Sequence, residues 1–550
     1  MAGPVEARPA TPRMATGGGH VRQDGKANCL SVQVVIPTPF SNNSALTQYA
    51  RTSVEALCGE GVDAVLLDTD QLPELRAAAD VAEVLHRRLR AMRPAGKLQV
   101  YCHLVPDMRF GNTSIAGHLA RRSLEDPGLR VTAYIHEFTE GVRRYGEARM
   151  LALQHQMFPV GRMAVLATTT EFEAWHLSRY LTVSGGWSLM PLVVPRLRHT
   201  RVVPMPPILP PTTAAQTVSR QKFSEVSVPR LVVLGGFRPT KGIDPDSGLG
   251  LYHLLDALAA RVRRGRIAQT LEVHVAGRLS DTSRVEHIPG GRHGPALRCL
   301  EALFALDDRA RALLRAYLMR PGDAELAREL ERHLEQRCRR YPFVIRLHLD
   351  REDRWLSEHV LAPAHLGLLF SSRGVSCRNT VLFNFAAHRI PIMANDGEEC
   401  PGGLRPHLLR AYDERDRDAA KARGELESFL ARSMGNAAEE CLGRLGRAED
   451  LAALADGAWE ALGRPSAREH ARQLAAWFQQ VADDRPTRID AFRVRLLWPL
   501  GLSWSERSSR ELLQDPCPRA NALQALLDAA CRLRLLRAPL SAPCAQRTGE

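Results

Sequence analysis

The sequence contains no apolar run of the roughly 18 residues needed to cross a bilayer. None of its 11 cysteines forms a Cys-x-x-Cys pair, and no block of lysine and arginine is interleaved with aromatics. The first absence excludes a spanning helix, and the second excludes the commonest zinc and redox motifs. With zinc-finger and helix-turn-helix spacings also missing, no nucleic acid partner is expected. The scattered cysteines, and a polar, Pro/Gly-rich beginning without a secretory leader, point to free thiols in a reducing cytoplasm. Lysine is scarce, so the net charge of +13 comes mainly from arginine and is spread along the chain. Such a surface attracts nucleotide sugars or anionic lipid, and a compositional arginine bias explains it as simply.

What is present is ordinary for a globular protein: 550 residues, 45% hydrophobic and 25% charged, enough for two or more well-buried cores. Short apolar runs alternate with amphipathic ones, the pattern of doubly wound α/β domains. Strands are expected at Val32–Ile36, Val62–Leu67, Leu98–Leu104, Val131–His136, Met163–Ala167 and Val202–Met205. A second series begins at Leu231–Leu234 and continues with Leu271–Ala276, Phe343–Leu347, Leu366–Phe370 and Ile392–Ala394. Between the two series, residues 208–229 are rich in Pro, Ser and Thr and read as a linker.

The organising stretch is FSSRGVSCRNTVLFNFAAHRIP, Phe370 to Pro391. It reads as strand, loop and helix, with Val381, Leu382, Phe385 and Ala386 on one helical face. Its loop gathers Gly374, Ser376, Arg378, Asn379 and Thr380 where a helix presents free N–H groups, a place that binds anions. Capping by Ser376 or Thr380 is the plain alternative. Upstream, Leu231–Leu234 runs into GGFRPTKG, residues 235–242, which holds Gly236, Arg238 and Lys241. Two strand-loop-helix units with basic, Gly-bearing loops suggest one nucleotide-diphosphate site.

On these residues the chain resembles the retaining GT-B glycosyltransferases of family 4. Within them it is similar to a bacterial subgroup with a Gly-Phe-x-Arg-Pro-x-Lys-Gly loop and a later Asp-Gly-Val-Ser-x-Arg-Arg signature ending in His-Gly-x-Pro. The first motif is present as Gly236, Phe237, Arg238, Pro239, Lys241 and Gly242. The second keeps Gly374, Val375, Ser376, Arg378, Leu382, Ala387, His388 and Pro391, with Arg373, Asn379 and Arg389 replacing Asp, Arg and Gly. Most family members also place two glutamates eight positions apart here, whereas the equivalent positions carry Ser376 and Asn384.

The resemblance implies two Rossmann-like domains facing a cleft, with extra C-terminal helices. Residues 1–28 are a tail, 29–207 the acceptor domain and 230–425 the nucleotide-sugar domain, with a helical insertion at about 280–340. Residues 426–483 are helices including a crossover back to the first domain, and 484–550 an extension. It implies sugar transfer from a nucleotide diphosphate-sugar to a hydroxyl acceptor (a glycan, a lipid-linked glycan or a small molecule) with retention, and with neither cofactor nor metal. Arg238, Lys241 and His136 are the catalytic candidates. Gly236, Gly374, Ser376, Arg378, Asn379 and Thr380 are the donor-binding ones. Ser41, Asn42 and Asn43, in the first β-α turn, are candidates for contact with acceptor or phosphate, and capping explains that turn equally well.

Asp68-Thr69-Asp70 mimics a metal-binding Asp-x-Asp but ends a strand, which argues against that use. The Arg/Leu/Trp-rich segment after residue 484 fits a helical cap on the domain, or a basic apolar face laid on the inner side of a membrane. Two further readings stay open: a non-catalytic homologue that binds nucleotide sugar or a partner enzyme, and a nucleotide-sugar epimerase.

Overall fold

The computed structural model describes residues 29–35, 45–68, 81–94, 96–104, 119, 122–123, 126, 128–136, 166–168, 200–203, 205–223, 228–235, 242–265, 271–277, 279, 295–320, 322–372, 374–377 and 379–483. These form two six-stranded sheets, parallel wherever strands pair. The first contains β1 (Cys29–Val35), β2 (Ala64–Asp68), β3 (Lys97–Leu104), β4 (Leu129–Ile135), β5 (Leu166–Thr168) and β6 (Thr200–Val202), in the order β2-β1-β3-β4-β5-β6. The second contains β7 (Arg230–Leu234), β8 (Glu272–Gly277), β9 (Val344–Leu349), β10 (Leu366–Leu369), β11 (Ile392–Asp396) and β12 (Leu408–Asp413), in the order β12-β11-β10-β7-β8-β9. This is the expected α/β architecture of two parallel, Rossmann-like sheets.

The apolar runs of the second sheet are continuous because both its faces are covered. On one face Leu231, Val233, Val273, Val275, Leu366 and Leu368 join a core with α4 (Leu251–Arg263) and α11 (Leu426–Leu445). On the other, Val232, Leu234, Leu369, Ile392 and Ala394 join a core with α9 (Thr380–Ala387), α12 (Ala448–Ala461) and α13 (Ala467–Asp483). The period-2 alternation of β7 is therefore apolar in both phases. Each fully buried Leu or Val contributes about 1.5–3 kcal/mol, which makes this sheet the rigid platform of the second domain.

Helix α13 packs against the first domain. Its Trp477 packs edge-on to Tyr101 at 5.6 Å, and His470 Nε2 lies 3.0 Å from the Tyr49 hydroxyl on α1 (Ala45–Gly59). Arg468 and Arg472 flank Glu60 at 2.6 and 3.2 Å on the rim of this seam.

Three sequence expectations change. The segment 208–229 contains a helix, α3 (Thr213–Gln221), capped by the Thr212 hydroxyl, which accepts from Ala215 N at 3.1 Å. Residues after Ile392–Ala394 include a further strand, β12, which precedes the helical region. The 280–340 stretch contains α5 (Pro295–Leu303), α6 (Asp308–Met319) and α7 (Ala324–Arg337), and these bury Leu300, Leu303, Leu314, Leu330 and Leu334 in the main core of the second domain. The helical part of that stretch is thus an integral layer rather than an addition. In α7, Asp323 caps the first turn by accepting from Glu325 N and Leu326 N, worth about 1 kcal/mol. The remaining helices are α2 (Val81–Met92), α8 (Asp353–Leu356), which continues as one π-type turn, Ser357–Leu361, and α10 (Glu414–Ala422). Residues 1–28 and 484–550 lie outside the described residues.

Candidate functional site

In the second sheet the strand order reverses between β7 and β10, since β7 continues outward to β8 while β10 continues the other way to β11. Ligands of open parallel sheets bind outside the carboxyl ends of the strands at such a point. The two basic loops singled out in the sequence leave these two strands. β7 and β10 pair directly, with Leu231, Val232 and Val233 opposite Leu366, Gly367 and Leu368. The topology brings together what 135 positions of sequence separate.

Both ends of the first loop touch the second unit. At its start, a Cβ on Gly235 would lie 3.8 Å from Val381 in the first turn of α9. At its end, Gly242 has φ +66° and presses on Phe370, where a Cβ would come within 2.9 Å of the Phe370 Cβ. Only glycine combines that backbone with that approach. Gly236, Arg238 and Lys241 lie outside the described residues, as do Arg378, Arg373 and the Ser41, Asn42 and Asn43 turn after β1.

The second loop is described in most of its length and is bound to the end of β11. Gly374 has φ +73°, and a Cβ there would stand 2.6 Å from Gly397 N and 2.7 Å from the Asp396 carbonyl carbon. Asn395 Oδ1 accepts from Ser371 N at 3.0 Å, Asn395 Nδ2 donates to Ser371 O at 2.6 Å, and Val375 N donates to Asn395 O at 3.0 Å. Ser376 is buried. Asn379 caps α9, its Oδ1 accepting from Val381 N at 3.0 Å, and Thr380 is the first helical residue. The cap is thus neither Ser376 nor Thr380. The α9 N-terminus, with its partial positive charge, sits beside Gly235.

Other motif positions serve the frame. Asn384 Oδ1, in place of the second glutamate, accepts from Leu209 N at 3.0 Å, tying α9 to the segment that leaves the first domain. His388 lies 2.8 Å from Ser357 Oγ through Nε2 and 2.9 Å from Asn384 O through Nδ1, and its carbonyl accepts from Lys222 Nζ at 3.1 Å. Burial pushes His388 down to about 4 and Lys222 well below the usual lysine range. Arg389, standing where the subgroup has glycine, adopts φ +52°. That left-handed backbone costs an L-residue about 1–2 kcal/mol. Stacking of its guanidinium on Trp459 at 3.4 Å and a close ion pair with Asp456 offset it. The replacement therefore remodels the far end of α9 rather than the loop.

His136 directly follows β4 and is buried. Its Nε2 lies 3.2 Å from His103 Nδ1, and its ring packs edge-on to Tyr49 at 5.1 Å and Tyr134 at 4.6 Å. Burial pushes it down to about 3, so this imidazole is neutral and belongs to an aromatic cluster at the junction with α13. The sequence reading did not single out His103, Asn395 or Glu414. The available signal was position, since His103 and Asn395 sit near the carboxyl ends of central strands.

Asp307, His333 and Cys338 place one ligand-type atom each within 4.8 Å of one another. Both Asp307 oxygens already face His333 Nε2, at 2.8 and 2.9 Å, and one caps α6. The group lies where α7 leads into the amino end of β9, so it is no part of the switch-point site. Asp68 ends β2, an edge strand.

No protein-family model and no curated protein matches the chain. Among solved structures it is similar to a UDP-forming α,α-trehalose-phosphate synthase from Burkholderia vietnamiensis, at 13% identity over 82% of this chain and 99% of that one, with a TM-score of 0.48. It is similar to a structure described as trehalose-6-phosphate from E. coli bound with UDP-2-fluoro glucose, at 10% identity over 83% and 100%, TM-score 0.48. A third likeness is to the N-terminal domain of a Candida albicans trehalose-6-phosphate phosphatase, at 12% identity over 83% and 99%, TM-score 0.45.

Proposed function

We propose that the chain transfers a sugar from a nucleotide diphosphate-sugar to a hydroxyl acceptor, with retention at the anomeric carbon. The observation that carries this reading is that Gly235 and Gly242, the two ends of the first loop, lie against Val381 and Phe370 of the second strand-loop-helix unit at the reversal point of the second sheet. The motif resemblance to the family 4 subgroup supports it. Departure of the diphosphate builds negative charge, and donors fixed where that charge develops favour the transition state over the ground state. Arg238 and Lys241 take that role from one loop, and Arg378 with the α9 N-terminus holds the donor from the other.

In this scheme the leaving phosphate itself helps deprotonate the acceptor on the same face, so neither a protein nucleophile nor a metal is required. The buried state of His136 suits a part in shaping the acceptor side through His103 and Tyr49 rather than direct proton transfer. No transmembrane candidate occurs among the described helices. A cytoplasmic protein, with a sugar, glycan or lipid-linked acceptor, fits the reading.

The test is thermal stabilisation and slow hydrolysis across UDP-, GDP- and ADP-sugars, repeated with Lys241→Ala and Arg378→Ala. A donor that raises the melting temperature and is hydrolysed by wild type alone supports transfer. One observation favours a second reading, a non-catalytic nucleotide-sugar binder: Asn384 occupies a glutamate position and is committed to Leu209. Binding without turnover in the presence of every acceptor class would select it. The epimerase alternative needs a His and carboxylate pair at the sugar, and the commitment of His136 to His103 gives it no support.

A further inference from the structure

The start of the 370–379 loop is tied to one residue of β11. Asn395, at the carboxyl end of β11, is fully buried; its side chain holds Ser371 N and Ser371 O, and its backbone carbonyl accepts from Val375 N. A side-chain amide accepts from Ser371 N with its oxygen and donates to Ser371 O with its nitrogen at once. An aspartate of the same shape lacks the donor. Glu414, the first residue of α10, also accepts from Asn395 Nδ2 in a close hydrogen bond and so reinforces the amide orientation that Ser371 sets. Glu414 is buried and is itself held 2.5 Å from Arg417 Nη1.

We propose that Asn395 and Glu414 are positioning residues for the donor: they set the backbone of Ser371 to Ser376, and through it the presentation of Gly374, Ser376 and the start of α9 to the diphosphate. This rests on the transferase reading above for the identity of the ligand, but not for the role of the pair in the loop. The polar contacts form a chain that runs from the loop through Asn395 and Glu414 to Arg417, which also pairs with Asp418 at 2.7 Å. On the loop side, Gly374 lies flat against the Asp396 and Gly397 backbone. Asp396 is fixed in turn by accepting from Gly397 N at 2.8 Å and Arg405 Nε at 3.1 Å.

The pair also makes the loop sensitive to pH. Burial pushes Glu414 up to about 7, against the pull of Arg417 and the Asn395 amide. The charged and titratable groups around it are Arg417 and Asp418 of α10 and Tyr412 of β12, with the neutral Asn395 facing it from β11. Burial raises Tyr412 as well, and its hydroxyl donates to Leu249 O at 3.2 Å. An ionised Glu414 accepts from Asn395 more strongly than a protonated one, so the loop tightens as pH rises through neutrality.

The experiment reads two quantities on the full chain from pH 6 to 8.5, in wild type, Asn395→Asp and Glu414→Gln. One is the protection of the Ser371 and Val375 amides, their exchange rate relative to the intrinsic rate at each pH. The other is the dissociation constant for UDP-glucose, GDP-mannose and ADP-glucose, whose diphosphates do not titrate in this range. Asn395→Asp is expected to speed exchange at both amides and weaken the bound nucleotide sugar by about tenfold or more. Glu414→Gln keeps an acceptor but has no charge to lose, so it is expected to abolish the pH slope that wild type shows in both quantities. If Asn395→Asp leaves exchange at Ser371 and Val375 unchanged, or if Glu414→Gln retains the wild-type slope, the positioning role is overturned. If no nucleotide sugar binds wild type while both exchange results hold, the transferase reading fails and the role of the pair in the loop stands.

Discussion

Replacing Gly374 with alanine tests whether the donor loop has the shape described. The substitution places a Cβ on a residue at φ +73°, which costs about 1–2 kcal/mol. It also places that atom 2.6 Å from Gly397 N and 2.7 Å from the Asp396 carbonyl carbon, contacts with backbone that cannot rotate away. Relieving them by overpacking adds about 1–3 kcal/mol, for a total of about 2–5 kcal/mol concentrated between the loop and β11. A chain of this length does not unfold as one unit, so the readout is local. Amide exchange in residues 370–380 should accelerate by about thirtyfold or more, and affinity for a nucleotide sugar should fall. Gly402→Ala is the internal control, because a Cβ there meets nothing within 4 Å and its φ is not in the left-handed region. Equal exchange in the two variants would refute the packing of this loop on β11.

Arg389 gives a prediction of sign: Arg389→Gly removes the left-handed strain and Arg389→Ala keeps most of it, while both lose Trp459 and Asp456. The alanine variant should therefore be less stable by about 1 kcal/mol in thermal unfolding, and the reverse order would contradict the strain. His136 gives a pH dependence. Its folded pKa of about 3 lies below the ordinary histidine value, so the unfolded chain takes up the proton first as pH falls, and stability from this group is lost between about pH 6.5 and 3. Tryptophan fluorescence near Trp477 should report loosening of the α13 seam over that window, and His136→Gln should lessen it. Lys222 acts in the same direction at higher pH. Its pKa is lowered by burial, so its contribution to stability improves as pH rises toward the ordinary lysine range, and Lys222→Met should flatten wild type's slope between pH 7 and 10. Parallel melting profiles for the two would contradict a buried, weakly basic amine.

The platform of the site was legible in the sequence because β7 and β10 are buried on both faces and show as unbroken apolar runs. The loops after them were legible because glycines and basic residues interrupt those runs at the strands' ends. Strand β12 was not, since exposed Arg410 breaks LLRAYD and α10 follows at once. Helix α3 was hidden by its Ser/Thr composition and flanking prolines. Within the loop, sequence could offer Asn379 as a ligand or a cap, and geometry commits its oxygen to Val381 N. Partners that decide Asn384 and His388 come from 175 and 31 positions away. No local pattern encodes that Leu209 and Ser357 arrive there.

The most direct measurement of the central claim is difference amide exchange of wild type with and without a stabilising nucleotide sugar. The account predicts that residues 235–242 and 370–380 become protected together, because one diphosphate bridges the two loops at the carboxyl ends of β7 and β10. Protection confined to the ends of β1 and β3, or to either loop alone, would contradict it.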